Sequence, residues 1–304
     1  MAEALAFLNG RFVPAAEAVL PVYDAGFVQG TTVAEQLRTF GGKLFRLEAH
    51  LQRLMHSLGI VGVEPGYTTT ELAATAQELV ARNHAVLAAG DDLGLAMFVT
   101  PGVYPTMVAS PYPGPTVCMH TNPLPFHFWA DKYRGGETLV TTHVQQVSSH
   151  CWPPELKCRS RMHYYLADRA AREINPRARA ILCDADGFVT EATTANLLIY
   201  RRDAGLITPP RHKILPGISM ATLADLAAKL EIPFLERDFT PADMLAADEV
   251  LLTSTSPCVL PVINVNGSPI GGGVVGPIHR RLLAAWSEHV GVEIVEQAAR
   301  FARR

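Results

Sequence analysis

The sequence predicts a two-domain α/β (α+β) protein, and three observations carry that expectation. The chain has 304 residues, 48% of them hydrophobic, which is enough for a large core and, at about 150 residues per domain, for two domains. Strand-like and helix-like stretches follow one another along its length. The stretch T-N-P-L-P-F-H-F-W-A-D-K breaks that pattern and reads as a linker (121–131) between a small first domain (1–120) and a larger second one (132–304).

Charge and composition narrow the function. With 26 basic against 29 acidic side chains and no block of like charge, neither nucleic acid nor an anionic membrane is expected as the main partner. The N-terminus has no basic region followed by a long apolar one, and no run reaches membrane-spanning length. The expectation is a cytoplasmic protein. Cys118, Cys151, Cys158, Cys183 and Cys258 are odd in number and lack C-x-x-C spacing, so reduced thiols are expected rather than disulfides or structural zinc. The histidines lack H-x-x-x-H spacing, and no metal is expected.

In order, F-L-N-G-R-F-V reads as a hairpin over Asn9-Gly10, and Val33 to Phe40 as a strand turning at Gly41-Gly42. Arg46 to Leu58 places Leu47, Leu51, Leu54 and Leu58 at helical spacing, with Gly59 as terminator. A second helix follows from Thr69 or Thr70 to Ala89, then the strand L-G-L-A-M-F-V-T. Pro101 to Pro115 is too rich in proline for a central strand. After T-V-C-M-H and T-L-V-T-T-H-V come a helix from Arg161 to Ile174, with Tyr165, Leu166 and Ala170 on one side, and a hairpin over D-A-D-G. A helix begins near Gly217, its free N–H groups pointing outward. Thr240-Pro241-Ala242-Asp243 starts another, E-V-L-L-T-S-T-S-P-C-V-L-P-V-I-N-V forms paired strands, and a last helix runs through Trp286.

The stretch from Pro153 to Asn196 carries the chemistry, with Lys157 and Glu191 as its poles. Lys157 follows two prolines among Arg159, Arg161 and Arg169, whose like charge disfavours its ammonium form in a partly dry site. Glu191 ends a strand. An amine nucleophile with a carboxylate across from it suits Schiff-base chemistry on a carbonyl cofactor. Taken alone, the pair reads first as a surface lysine at a helix start and a strand-end glutamate, and the usual fate of an arginine placed like Arg53 is a solvated stem.

Six segments together change that balance: D-A-G-F-V-Q-G-T-T-V-A-E, F-R-L-E-A-H-L-Q-R-L, E-L-K, T-E-A-T-T-A-N-L-L-I, L-P-G-I-S and A-D-E-V-L-L-T-S-T. In order and spacing the chain resembles the fold-type IV pyridoxal-phosphate enzymes, the class IV aminotransferases that include branched-chain and D-amino acid aminotransferase and aminodeoxychorismate lyase. The resemblance implies a small N-terminal α+β domain, a larger domain with a mixed β pseudo-barrel, and a homodimer. It implies pyridoxal 5′-phosphate as cofactor, joined to Lys157, with Glu191 at the pyridine nitrogen. Arg53, the N–H groups of Ile218 and Ser219, and Thr255 would hold the phosphate. Glu35 favours transamination between an amino donor and a keto acid. The alternatives are a lyase that releases pyruvate, or a non-catalytic relative.

The substrate side departs from the family. Met162 stands where the branched-chain enzymes have the tyrosine near the cofactor's O3′, with Tyr164 two residues on. Gln29 and Ala34 replace aromatic residues and reshape the pocket. Pro101 replaces an arginine that the D-amino acid enzymes carry. The turn Thr255-Ser256 offers N–H groups to an α-carboxylate, and Arg38, Arg159 and Arg161 are further anion partners.

Overall fold

The computed structural model describes residues 3–106 and 114–303; part of the proline-rich stretch expected over 101–115 therefore lies outside the described residues. The chain divides into two compact units, Met1–Leu124 with Leu156–Ser160, and Pro125–Glu155 with Arg161–Arg304. Leu156–Ser160, which the sequence reading assigns to the second domain, packs with the first unit. Among the described residues no helix is long and apolar enough to cross a membrane.

The first unit contains strands β1 (Leu5–Leu8), β2 (Arg11–Pro14), β3 (Val33–Phe40), β4 (Lys43–Leu44), β5 (Leu93–Thr100) and β6 (Thr116–Pro123), and helices α1 (Ala25–Val28), α2 (Leu47–Val61) and α3 (Thr69–His84). The strands form one antiparallel sheet in the order β2-β1-β6-β5-β3-β4. Alternation sends Val33, Leu37, Leu95, Met97, Val99, Val117 and Met119 to one face, where they pack on Leu51, Leu54 and Leu58 of α2 and Leu72, Ala76, Leu79 and Val80 of α3. The cross-strand register aligns Ala34, Phe98 and Cys118, and likewise Gln36, Ala96 and His120, so these residues share the opposite face.

Two helix ends differ from the sequence reading. Gly59 lies inside α2, which ends one turn later at Gly62, where φ is +67° and glycine meets no steric cost. α3 begins with a capping box between Thr68 and Glu71 and stops at His84 rather than Ala89, because Leu87 N–H turns back to the His84 carbonyl.

The second unit contains β7 (Glu137–Thr141), β8 (Arg179–Cys183), β9 (Val189–Ala192), β10 (Ala195–Arg201), β11 (Gly205–Thr208), β12 (Phe234–Glu236), β13 (Glu249–Ser254), β14 (Cys258–Val265) and β15 (Ser268–Pro269). Its helices are α4 (Lys132–Gly135), α5 (Met162–Ile174), α6 (Ile218–Lys229), α7 (Pro241–Leu245), α8 (Pro277–Val290) and α9 (Ile294–Phe301). Six strands close into a mixed barrel, β10-β13-β14-β7-β8-β9 and back to β10, parallel only where β7 meets β14 and β8. Closure is possible because β10 divides one edge: Ala195 and Asn196 pair with β9, while Ile199 to Arg201 pair with β11.

α5 packs on β8 through Ala167 and Ala171, whereas Tyr165 and Leu166 are exposed. The inward stripe therefore runs Tyr164-Ala167-Ala171, one position off the grouping that the sequence reading chose. α9 follows Trp286 as a further helix that the sequence reading lacks.

At the start of β13 the buried Glu249 carboxylate caps α8, accepting from Ile278 N–H (2.8 Å) and His279 N–H (2.9 Å). A Cβ on Gly276 would fall 2.0 Å from Glu249 Cδ, so the glycine is required. Replacing Glu249 by alanine strands two buried donors and is expected to lower unfolding stability by about 1–3 kcal/mol. Urea titration checks this, and an unchanged midpoint would mean that α8 is held elsewhere.

Candidate active site

Lys157 sits in an extended stretch that pairs with the start of β3. Ala34 N–H donates to the Lys157 carbonyl (3.0 Å) and Arg159 N–H to the Thr32 carbonyl (2.8 Å), so that Val33 and Cys158 face each other across an antiparallel bridge. Ser57 Oγ of α2 accepts from Lys157 N–H at 3.1 Å, and Ser160 Oγ donates to the Gly30 carbonyl at 2.5 Å. Leu156 packs on the helix side of the sheet. Four hydrogen bonds thus fix the backbone on both sides of a half-buried amine. Arg169, one of the charges that the sequence reading grouped with Lys157, pairs with Glu173 on the exposed surface of α5 in the second unit.

One helical stripe of α2 carries His50, Arg53 and Ser57. Arg53 donates through Nε to Glu35 Oε1 (2.7 Å) and through Nη2 to Glu35 Oε2 (2.9 Å). His50 Nδ1 lies 2.7 Å from Glu35 Oε2. Burial pushes the Glu35 carboxyl up, but the bonds from Arg53 and His50 and the Arg53 charge outweigh it and hold the pKa at about 2. Burial keeps His50 below the usual imidazole range although Glu35 opposes this. A neutral imidazole facing a carboxylate carries its proton on Nδ1 and donates it. Glu35 is therefore a buried mount for the Arg53 guanidinium.

In the second unit Glu191 lies on β9 opposite Asn196 of β10, and its carboxylate is buried under four donors. Asn196 Nδ2 (3.1 Å) and Leu215 N–H (2.7 Å) reach Oε1, while Tyr164 Oη (2.9 Å) and Gln146 Nε2 (3.4 Å) reach Oε2. Burial, followed by the Glu191 charge and hydrogen bond, raises the Tyr164 pKa well above its ordinary value, so the phenol remains a donor. Asn196 Nδ2 also donates to the Leu215 carbonyl (3.0 Å), which fixes the approach to α6.

α6 starts at Gly217 with no side-chain cap. The first helical N–H groups lack intrahelical acceptors and project from the positive end of the helix dipole. Ile218 and the buried Ser219 occupy this first turn. A Cβ at Gly217 would lie 1.9 Å from Asn196 Oδ1, so glycine is what lets Asn196 stand against the turn. Thr253 pairs with Asn196 across the ladder, and the turn with Thr255 and Ser256 opens two residues beyond. Thr253 Oγ1 to the Cys258 carbonyl (2.7 Å) and Tyr133 Oη to the Pro257 carbonyl (2.9 Å) hold that turn.

Within the first unit, then, Lys157 is tied to Ala34 and, through Ser57, to the helix that carries Arg53. Gln29 is exposed at the end of α1. Within the second unit, Asn196 links Glu191 to the start of α6 that holds Ile218 and Ser219. Sequence reasoning passed over Gln146, Asn196, Leu215, His50 and Ser57. Tyr164 it noted without a role. The i, i+3, i+7 spacing of His50, Arg53 and Ser57 was a usable signal; Gln146 lies in a loop with none.

The first unit thus offers an amine on a hydrogen-bonded strand, and the second a buried carboxylate and an uncapped helix terminus, group types that pyridoxal-phosphate chemistry uses. The amino-transferase class IV family model matches residues 32–265, and the chain belongs to that family of pyridoxal 5′-phosphate-dependent aminotransferases. A D-alanine aminotransferase of Staphylococcus aureus (strain MSSA476) is 30% identical over 295 residues, spanning 93% of this chain and 97% of that protein. Branched-chain-amino-acid aminotransferase-like protein 2 of Arabidopsis thaliana is 30% identical and spans 94% of this chain and 50% of its own length. Among solved structures, the Escherichia coli branched-chain amino acid aminotransferase superposes with TM-score 0.86 at 23% identity over 94% of each chain. The branched-chain aminotransferase of Thermoproteus uzoniensis with norvaline gives 0.83 at 26% identity over 96% of each. A third branched-chain amino acid aminotransferase, from T.th. and crystallised with pyridoxamine 5′-phosphate, gives 0.84 at 24% over 96% of this chain and 95% of that one.

Two outcomes follow. The Glu35 pKa, about 2 against an ordinary 4.5, gives stability that is complete above the higher value and is lost as pH falls through the lower one. His50, lowered from 6.5, acts in the same direction as it is forced to protonate. Urea midpoints taken between about pH 6 and about pH 3 should fall more steeply for the native protein than for Glu35→Gln; parallel curves would remove Glu35 from this role. Gly217→Ala should displace Asn196, cost about 1–3 kcal/mol by overpacking and reduce the cofactor retained per chain on dialysis. Full retention would show that the start of α6 tolerates a side chain.

Proposed function

We propose that the protein transfers an amino group from a hydrophobic, branched-chain-like amino acid, or an amine, to a 2-keto acid by a ping-pong mechanism. It does so as a homodimer in the cytoplasm. The observation that carries this reading is the sheet face on which Ala34 of β3, the strand to which Lys157 is bonded, lies beside Phe98 of β5 and Cys118 of β6, an apolar group bordered by Gln36 and His120. The family relatives, named for D-alanine and for branched-chain amino acids, agree with a compact apolar substrate. Cytoplasmic location accords with five cysteines that form no disulfide with one another.

Pyridoxal phosphate supplies a carbonyl that exchanges amines and a ring that stores the electron pair left when the substrate Cα–H bond breaks. Lys157 would hold the cofactor through its amine, and the same amine would take the proton from the substrate Cα. The four donors orient the Glu191 carboxylate, which would hold the cofactor's ring nitrogen. For the phosphate, the first unit would supply Arg53, mounted on Glu35, and the second Ile218 N–H, Ser219 and Thr255: one cation, one helix terminus and two hydroxyls for a dianion. Ser256 N–H, Gln29 and Ala34 border the substrate.

A half-reaction screen tests the reading. Loss of the cofactor's visible absorbance is followed across L- and D-amino acids and simple amines, with Lys157→Ala as control. Apolar amino acids or amines should respond in the native protein, and Lys157→Ala should lose turnover by several orders of magnitude. No response to any donor, with pyruvate released from aminodeoxychorismate, would replace transamination by lyase chemistry. Full activity of Lys157→Ala would remove the lysine from catalysis.

A further inference from the structure

The ladder that holds Lys157 also determines what stands beside it. Val33 and Cys158 are an antiparallel bridge pair, so their side chains share a side. Val33 belongs to the helix-facing core, and Leu156 packs on that core as well. A period of two then places Lys157 and Arg159 together on the opposite side, with Ala34, Phe98 and Cys118.

The contacts of Arg159 agree with this parity. Its guanidinium carbon lies 5.7 Å from the centre of the Phe98 ring on β5. Its charge also reaches Cys118 and His120 of β6, lowering the pKa of each. Burial holds the Cys118 thiol at about 11 and keeps His120 below the usual imidazole range. The arginine thus extends from the edge stretch across β3 toward β5, about two strand spacings of roughly 4.8 Å each, over a floor of small and neutral side chains. Arg38, of the same parity on β3, is 1% exposed, donates to the Thr39 carbonyl and covers the Phe40 ring. Arg161 begins α5 in the second unit. Arg38 shares the amine's face but is buried against its own strand, so of the three arginines singled out in the sequence Arg159 is the one beside the amine in the bridged stretch and over the Phe98 ring.

Every amino acid and 2-keto acid carries a carboxylate next to the reacting carbon, and a five-donor guanidinium matches it in charge and geometry. We propose that Arg159 is the substrate-carboxylate anchor, replacing the arginine lost at Pro101. This rests on the assignment of Lys157 as the reactive amine. The apolar floor then receives the side chain, and the anchor separates amino acids from plain amines.

The test uses the cofactor-loaded protein, native and with Arg159→Ala, Arg159→Lys or Arg159→Gln. Borohydride trapping of the cofactor on Lys157, read by mass spectrometry, is done first; its failure in the native protein would overturn the lysine assignment and not the arginine one. Pyruvate and 2-oxoglutarate are then compared as acceptors. Arg159→Ala should raise KM by about 10- to 100-fold, the range expected for one charge-assisted bond, with kcat changing less than KM and Arg159→Lys recovering part of the loss. Calorimetric titration with glutarate and butyrate, which do not react, should show the same weakening. Equal loss for both acceptors assigns Arg159 to the carboxylate next to the reacting carbon and supports the anchor, whereas loss for 2-oxoglutarate alone would place it at a distal carboxylate and overturn it. Unchanged KM in Arg159→Gln and Arg159→Lys, or a fall in kcat at unchanged KM, would overturn it.

Discussion

The bond from Ala34 N–H to the Lys157 carbonyl, with its companion from Arg159 to Thr32, is the interaction on which the amine-bearing part of the structure depends. It recruits five residues from far along the chain as an extra edge to β3, beside residues that β4 does not reach. Without it, a lysine after two prolines would lie on a loop, and its amine would sample many positions at an entropic cost to any reaction. With it, the alternation of a β ladder assigns each neighbour a side. Leu156 goes to the core, Lys157 and Arg159 to the open face.

α2 serves the same stretch from the other side. Ser57 meets the Lys157 N–H, and one turn earlier Arg53 is clamped by Glu35 from β3. A single helix therefore indexes both the backbone of the amine and a guanidinium against the same strand. The buried carboxylate between them is ionised because two partners share its charge, which ties that geometry to pH as well as to packing.

Much of this was legible in the sequence, and the gaps have physical causes. Lys157, Glu191 and the glycine at the start of α6 stood out because the Schiff-base reading calls for particular residue types at particular places. The two-unit α+β architecture was visible through clear periods in β3, β5 and α2. The pairing of Lys157 with β3 was not, since a bridge between residues 33 and 158 leaves no local pattern. Tyr164 was visible as a residue but not as a donor to Glu191, because Tyr164 and Tyr165 differ only in helix phase and apolarity does not separate them. Gln146, in an irregular stretch, had no period to read.

α3 and α7 each begin with a threonine in a full capping box, Thr68 with Glu71 and Thr240 with Asp243. α6 begins with Gly217 and no cap, although an N-cap hydroxyl or carboxylate stabilises a helix by about 1 kcal/mol. The protein forgoes that gain where the Asn196 side chain takes the space beside Gly217. Attempts to raise its thermal tolerance by capping helices would therefore meet a steric limit at this turn, where any added side chain displaces the residue that links β10 to α6.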